Sequence, residues 1–207
     1  MAAAPRPGSS GDHYFAESPA SRSRPGEVLV GAAGDRFRLR TDAGTFSPRR
    51  LDPGTAFLLS EAPPPPPQGT FVDLGCGYGP IALSLARRSP AARVLAVDVN
   101  ERSRELCAAN AAELGCGNVE VLGPDDVPAD LVVDLVWSNP PIRIGKDALH
   151  DLLVSWLDRL SPRGEAVLVV GRNLGADSLM RWLEGHGWPT ERLGSRRGYR
   201  LLRSRRS

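Results

Sequence analysis

Apolar and polar positions along the chain follow two rhythms. From residue 70 onward, short apolar runs recur: Phe71, Val72 and Leu74, then Arg93 to Val97, Val119 to Leu122, Leu131 to Ser138, and Glu165 to Val170. Runs this short, each bounded by turn residues, predict buried strands. Between them the apolar positions take helical spacing. Ile81, Leu83 and Leu85 follow the first run, a helix from an Asn100 cap reaches about Leu114, and another lies near Ala176 to Glu184. Leu149, Leu152, Leu153, Trp156, Leu157 and Leu160 share one helical face. Ser161 to Gly164 read as a turn into the fifth strand, and two weaker strands, around Trp188 to Leu193 and Gly198 to Leu202, are joined without a helix. Strand and helix in alternation predict an α/β domain: a seven-stranded, mostly parallel sheet with an antiparallel edge strand and helices on both faces.

The segment before that domain reads differently. Glu27 to Gly31 and Arg36 to Arg40 flank a turn and predict a short β-hairpin extension. A turn-rich stretch carrying Phe46 leads into a short helix from about Pro53 to Ser60. The expected organisation is a disordered N-terminus over 1–11, a hairpin and lid-like extension over 12–62, a stiff polyproline linker at 63–67, and the main domain over 68–207.

The first strand-to-helix junction, TFVDLGCGYGPIALSLA, carries the first candidate chemistry. Its pattern is D-x-G-x-G-x-G, and Pro80 stands where a dinucleotide fingerprint needs its third glycine, so the turn reads as a nucleoside pocket. Pro80 suits a first helical position, where its missing N–H is not needed. The junction resembles motif I of the class I S-adenosylmethionine-dependent methyltransferases. The resemblance implies a Rossmann-like fold, S-adenosyl-L-methionine as cofactor, and cofactor contacts from Asp73, Gly75, Cys76, Gly77 and Gly79. Asp98, with Val99 beside it, closes the second strand where a carboxylate can accept from both ribose hydroxyls, and Asn100 is available to cap the helix. Asp125 and Asp126 follow the third strand and either receive the adenine amino group or form an Asx turn.

The fourth strand ends at Ser138-Asn139-Pro140-Pro141. The Asn139 side-chain oxygen and the Pro140 carbonyl can each accept a hydrogen from a planar exocyclic NH2, turning the nitrogen lone pair toward a sulfonium methyl. Two prolines fix φ, so the acceptors are set in advance, and no strong general base is required. Asn-Pro-Pro followed by an aromatic is typical of methyltransferases acting on amino nitrogens of adenine, guanine or glutamine; here Ile142 takes the aromatic position. NPPIRIGK, together with HYF, TDAGTFSPRRLDPGT, DLGCGYGPIAL, SPRGEAVLVVGRNLGA and GYRLL, resembles the small-domain ribosomal RNA guanine N2-methyltransferases of the MTS superfamily. That resemblance implies that Asn139, Pro140, Pro141 and Ile142 form the catalytic turn and that Phe46, Asp52 and Thr55 line the pocket. Phe46 either stacks on the target or plugs the hairpin onto the core. Arg143 and Lys146 either meet the target's phosphates or solvate the next helix. The expected function is methylation of an exocyclic amine, guanine N2 of ribosomal RNA, with ribosomal RNA or a ribosomal subunit as partner. The alternatives are a protein glutamine N5-methyltransferase of release-factor type and a methyltransferase-fold RNA-binding or assembly factor without turnover.

Composition adds limits. Hydrophobic content of 41% with 24% charged residues is that of a soluble globular protein. No stretch approaches the ~20 uninterrupted apolar residues of a membrane helix, and the start has no apolar core of signal-peptide type, so a cytoplasmic protein, favoured as a monomer, is expected. Net charge is only +2 with histidine neutral, but the cations are almost all arginine, Lys146 being the sole lysine. Arg192, Arg196, Arg197, Arg200, Arg203, Arg205 and Arg206 crowd the C-terminal stretch, as a phosphate-binding set or a solvated tail. Cys76, Cys107 and Cys116 lack metal-ligand spacing, so no metal is expected, and the four tryptophans are assigned to core packing.

Overall fold

The computed structural model describes residues 22–32, 34–141 and 144–206. The expected disordered segment 1–11, the HYF motif, Ile142 and Arg143 lie outside the described residues. An antiparallel hairpin, β1 (Gly26–Ala32) and β2 (Asp35–Thr41), leads to α1 (Pro53–Glu61). The main sheet follows as β3 (Thr70–Leu74), α2 (Pro80–Arg88), β4 (Arg93–Val97), α3 (Glu101–Glu113), β5 (Val119–Leu122), β6 (Val133–Ser138), α4 (Lys146–Leu157), β7 (Leu160–Gly171), α5 (Ala176–Gly185), β8 (Thr190–Arg196) and β9 (Tyr199–Arg205). Spatial order is β5-β4-β3-β6-β7-β9-β8. The first five strands run parallel, and β9 is antiparallel to both β7 and β8. The chain order reverses at β3, between β4 and β6, which opens a crevice at the carboxyl ends of those three strands.

Side chains alternate faces along each strand, and that sorts the core into two clusters. Phe71, Leu135, Trp137, Val167 and Val169 face α1, α2, α3 and the hairpin residues Val28, Val30, Phe37 and Leu39. Val72, Val136, Ala166, Leu168 and Val170 face α4 and α5. The hairpin and α1 therefore share one continuous core with the sheet, although the proline run separates them along the chain.

Helix starts follow their caps. Asn100 accepts from Ser103 N at 2.9 Å and begins α3, and Pro80 sits in the first turn of α2, both as the sequence predicts. Asp52 caps α1, accepting from Gly54 N at 2.8 Å and Thr55 N at 3.0 Å.

Two expectations need adjustment. The turn at Ser161 to Gly164 is present but lies inside β7 as a bulge: Leu160 opposes Val133 and Glu165 opposes Leu135, and a Cβ on Gly164 would sit 3.0 Å from Ser161 N. Asp134 accounts for this, since its carboxylate takes Thr70 N and Ser161 Oγ, each at 2.9 Å, and ties β6 to both neighbours. The C-terminal arginines are also not a solvated tail. Arg203 and Arg205 pair with Glu165 and Glu191 on the sheet, Arg196 with Glu61, and Arg200 with Asp177, while Arg206 donates to Leu160 O.

Candidate active site

The crevice holds a cavity of about 300 Å³. Its floor is the turn after β3. Gly75 N and Cys76 N both donate to Val97 O, at 2.8 and 3.0 Å, tying that turn to the end of β4. Gly75 and Gly77 have φ of 78° and 55°, a region that favours glycine. A Cβ on Gly77 would meet no protein atom within 4 Å and one on Gly75 would only graze Pro141 Cδ at 4.0 Å, so the bare backbone faces open space.

Asp98 fixes the other side of the turn. Its Oδ2 accepts from Gly77 N at 2.8 Å and its Oδ1 from Asn100 N at 2.9 Å, while Arg104 holds the Asp98 and Val99 carbonyls. Burial pushes the Asp98 carboxyl above its usual range against these bonds. Each carboxylate oxygen retains a second lone pair, the capacity a ribose diol requires. Val99, 44% exposed, supplies an apolar wall beside it.

Asp73 has a different place from that expected. It is fully buried beneath the turn and lines neither this cavity nor the small recess adjoining it. Its Oδ2 accepts from Ala82 N at 2.8 Å, satisfying a donor that the first turn of α2 leaves without an intrahelical partner. Burial, with the charge of Asp98 adding to it, pushes this carboxyl up to about 8. Gly79 is likewise absent from the walls: it is the left-handed cap of α2, φ 97°, packed on Cys107. Cys76 lines the recess; contact with the Cys107 thiol, then burial, raises its pKa. Asp125 and Asp126 are exposed, and neither lines the cavity, which Pro124 borders instead. Asp126 Oδ2 takes Gly123 N at 3.1 Å, the local turn rather than a wall position. Lys146 is exposed at the start of α4 and outside the cavity.

Opposite the turn stand Asn139, Pro140 and Pro141. Ser138 is fully buried, and its hydroxyl donates to Leu74 O at 2.6 Å, which locks the end of β6 to the end of β3. Asn139 Nδ2 donates to Asp52 Oδ1 at 2.9 Å and to Thr55 Oγ1 at 3.1 Å. Both amide hydrogens are thereby committed, and the side-chain oxygen is left as an acceptor in the cavity wall. Phe46 borders both the cavity and the recess and is 38% exposed; Thr55 borders the recess.

Several walls escaped the sequence. Tyr199, at the start of β9, and Leu174, after β7, line the cavity with Leu152, Ser103 and Gly171. Trp156 borders it too, so this tryptophan is not confined to the core. Burial and then the charge of Asp52 raise the pKa of both Tyr199 and Tyr78. The joining residue with the least sequence signal is Asn110 on α3, whose amide bonds Arg40 N, Arg40 O and Tyr78 O and so clamps the hairpin to the glycine turn. Trp182 instead stacks between His150 and His186, at ring-centroid distances of 3.6 and 4.3 Å. Among the described residues no His, Cys, Asp or Glu cluster could hold a metal ion, and no helix is long and apolar enough to cross a membrane.

Comparison with known proteins agrees with this arrangement. The family profile for the methyltransferase small domain matches residues 36–203. The uncharacterised protein YbxB of Bacillus subtilis is 30% identical over 94% of this chain and 98% of its own length. Ribosomal RNA small subunit methyltransferase C of Pseudomonas aeruginosa is 36% identical over 79% of this chain and 49% of its own length. The chain thus spans about half the length of that methyltransferase relative. Among solved structures, a 16S rRNA N2 methyltransferase of T. thermophilus, in complex with AdoMet and guanosine, shares the fold with a TM-score of 0.74 at 22% identity, over 91% of this chain and 52% of its own. The glycine floor, the half-buried Asp98 and the apolar Val99 wall fit a nucleoside-bearing cofactor, and the chain belongs to the methyltransferase small domain family of S-adenosylmethionine-dependent methyltransferases.

Proposed function

We propose that this protein methylates an exocyclic amine, guanine N2 of ribosomal RNA, in the cytoplasm. One observation carries the reading: Asn139 spends both amide hydrogens on Asp52 and Thr55 and so presents only an acceptor beside the Pro140 carbonyl. An acceptor pair of that kind takes both hydrogens of an NH2 group and exposes its lone pair. S-adenosylmethionine, when bound, supplies an electrophilic methyl group. Gly75 and Gly77 would hold it by backbone, Asp98 by its ribose hydroxyls and Val99 by its base. The work of Asn139 and Pro140 is orientation and dispersal of the positive charge that grows on the attacking nitrogen, both preset by packing. The ribosomal RNA assignment is supported by the names of relatives, which include large subunit methyltransferase G as well as small subunit methyltransferase C. A target base within a helix would have to be unstacked to reach the crevice.

The test offers purified protein and radiolabelled S-adenosylmethionine to ribosomal subunits, naked ribosomal RNA and release factors in parallel, with modified residues identified by mass spectrometry. N2-methylguanosine is expected. Label on a release-factor glutamine would replace the substrate assignment, and cofactor binding without label on any of them would count against turnover.

A further inference from the structure

Asp52 divides its two carboxylate oxygens between different tasks. Oδ1 is saturated: it accepts from Gly54 N, Thr55 N and Asn139 Nδ2 at 2.8, 3.0 and 2.9 Å. Oδ2 has no hydrogen bond to another described residue, although Asp52 borders both the cavity and the recess beside Asn139. The carboxylate cannot swing away to find a partner, because three N–H groups pin its other oxygen. Its surroundings are also tight, since a Cβ on Gly54 would come within 2.7 Å of the Tyr199 ring and 3.0 Å of Asp52 Oδ1. A fixed acceptor therefore stands next to the pair that the proposed reaction uses.

From this we infer that Asp52 selects the base: its Oδ2 accepts a ring N–H adjacent to the amine being methylated. The inference rests on the amine-methylation reading above. Asp52 Oδ2, Asn139 Oδ1 and the Pro140 carbonyl then form three neighbouring acceptors. Guanine offers the complement, three donors in a row from N1–H and the two hydrogens on N2. Adenine and cytosine do not, because the ring nitrogen beside their amine on the pairing edge is itself an acceptor and would face a carboxylate oxygen. 2-Aminopurine isolates the effect, since it keeps the N2 amine and has a bare acceptor at N1. A site built to hydrogen-bond a donor rejects the analogue that lacks it far more strongly than a site of mere shape.

The test uses the full chain loaded with S-adenosylhomocysteine and measures binding of guanosine and of 2-aminopurine riboside, with N2-methylguanosine formation on ribosomal RNA followed in parallel. The wild type should bind guanosine at least about 100-fold more tightly than 2-aminopurine riboside. Asp52→Asn keeps a good helix cap and keeps an oxygen for the three N–H groups, which forces its NH2 into the place of Oδ2. That variant should therefore reverse the order of the two nucleosides, keep its cofactor affinity and melting temperature, and lose at least about 100-fold in methylation of guanine. Equal binding of the two nucleosides by the wild type would overturn the base-selecting role on its own, whatever the variant does. If the wild type forms N2-methylguanosine and Asp52→Asn forms it at a comparable rate, the role of Asp52 falls while the amine reading stands. If the wild type forms none, the reading itself fails and this inference with it.

Discussion

At the scale of single residues, the cavity is governed by acids with separate duties. Asp98 sits half-buried in the wall with two backbone amides on it, and Asp98→Ala should abolish cofactor binding by calorimetry, since it removes the proposed diol acceptor and releases Gly77 N. Retained affinity would mean that the ribose is held elsewhere. Asp73 is an internal brace, and its pH behaviour follows from burial. The folded protein holds the Asp73 proton up to about pH 8, whereas the unfolded chain releases it near 3.8. Between those values the unfolded state binds fewer protons, so stability falls as pH rises through the window and levels off above it, by up to about 1.4 kcal/mol per pH unit. Asp73→Asn keeps the acceptor for Ala82 N and removes the titration. Urea midpoints at pH 5 and pH 8 should lie closer together in that variant than in the wild type, and an unchanged gap would show that Asp73 titrates normally.

At the scale of elements, the site depends on how α1 and the hairpin are fastened to the sheet. Asn110 is 2% exposed and serves β2 and the glycine turn at once. Asn110→Ala leaves Arg40 N and Tyr78 O without that partner, and a destabilisation of about 1–3 kcal/mol in urea unfolding is expected. A change within a few tenths of that unit would mean that water replaces the amide at no cost. The elements themselves were legible because each has a local cause: apolar runs for β3 and β4, Asn100 and Pro80 for the helix starts, an alternating hairpin around residues 31–35. That the turn at Ser161 to Gly164 is a bulge within β7 was not legible, because the bond that holds Ser161 against β6 comes from Asp134, 27 residues away. Asp125 and Asp126 left two readings open because carboxylates next to a strand end satisfy either a ligand or their own backbone at the same spacing; Asp126 makes the backbone bond, to Gly123 N. Tyr199 and Trp156 reach the cavity through tertiary packing of β9 and α4, which no local pattern encodes.

At the scale of the whole molecule, the arginines are partitioned. Those along β8 and β9 largely answer acids on the sheet surface, pairs that contribute little individually. Exposed Arg172 follows the cavity residue Gly171, and its backbone N–H donates to Gly198 O at 2.6 Å, which ties it to the turn that carries exposed Arg197 and leads into the cavity residue Tyr199. Replacing both by alanine should weaken RNA binding across sequences and lower the slope of log affinity against log salt by about 2 in magnitude. An unchanged slope would place the RNA on another face. Whether the Asn139 amide presents an amine to the methyl donor is decided by a paired measurement on Asn139→Ala: cofactor affinity by calorimetry and N2-methylguanosine formation by mass spectrometry. Affinity within about threefold of wild type and methyl transfer reduced at least about 100-fold are expected, the range for loss of a positioned transition-state contact. Methyl transfer equal to wild type would contradict that role.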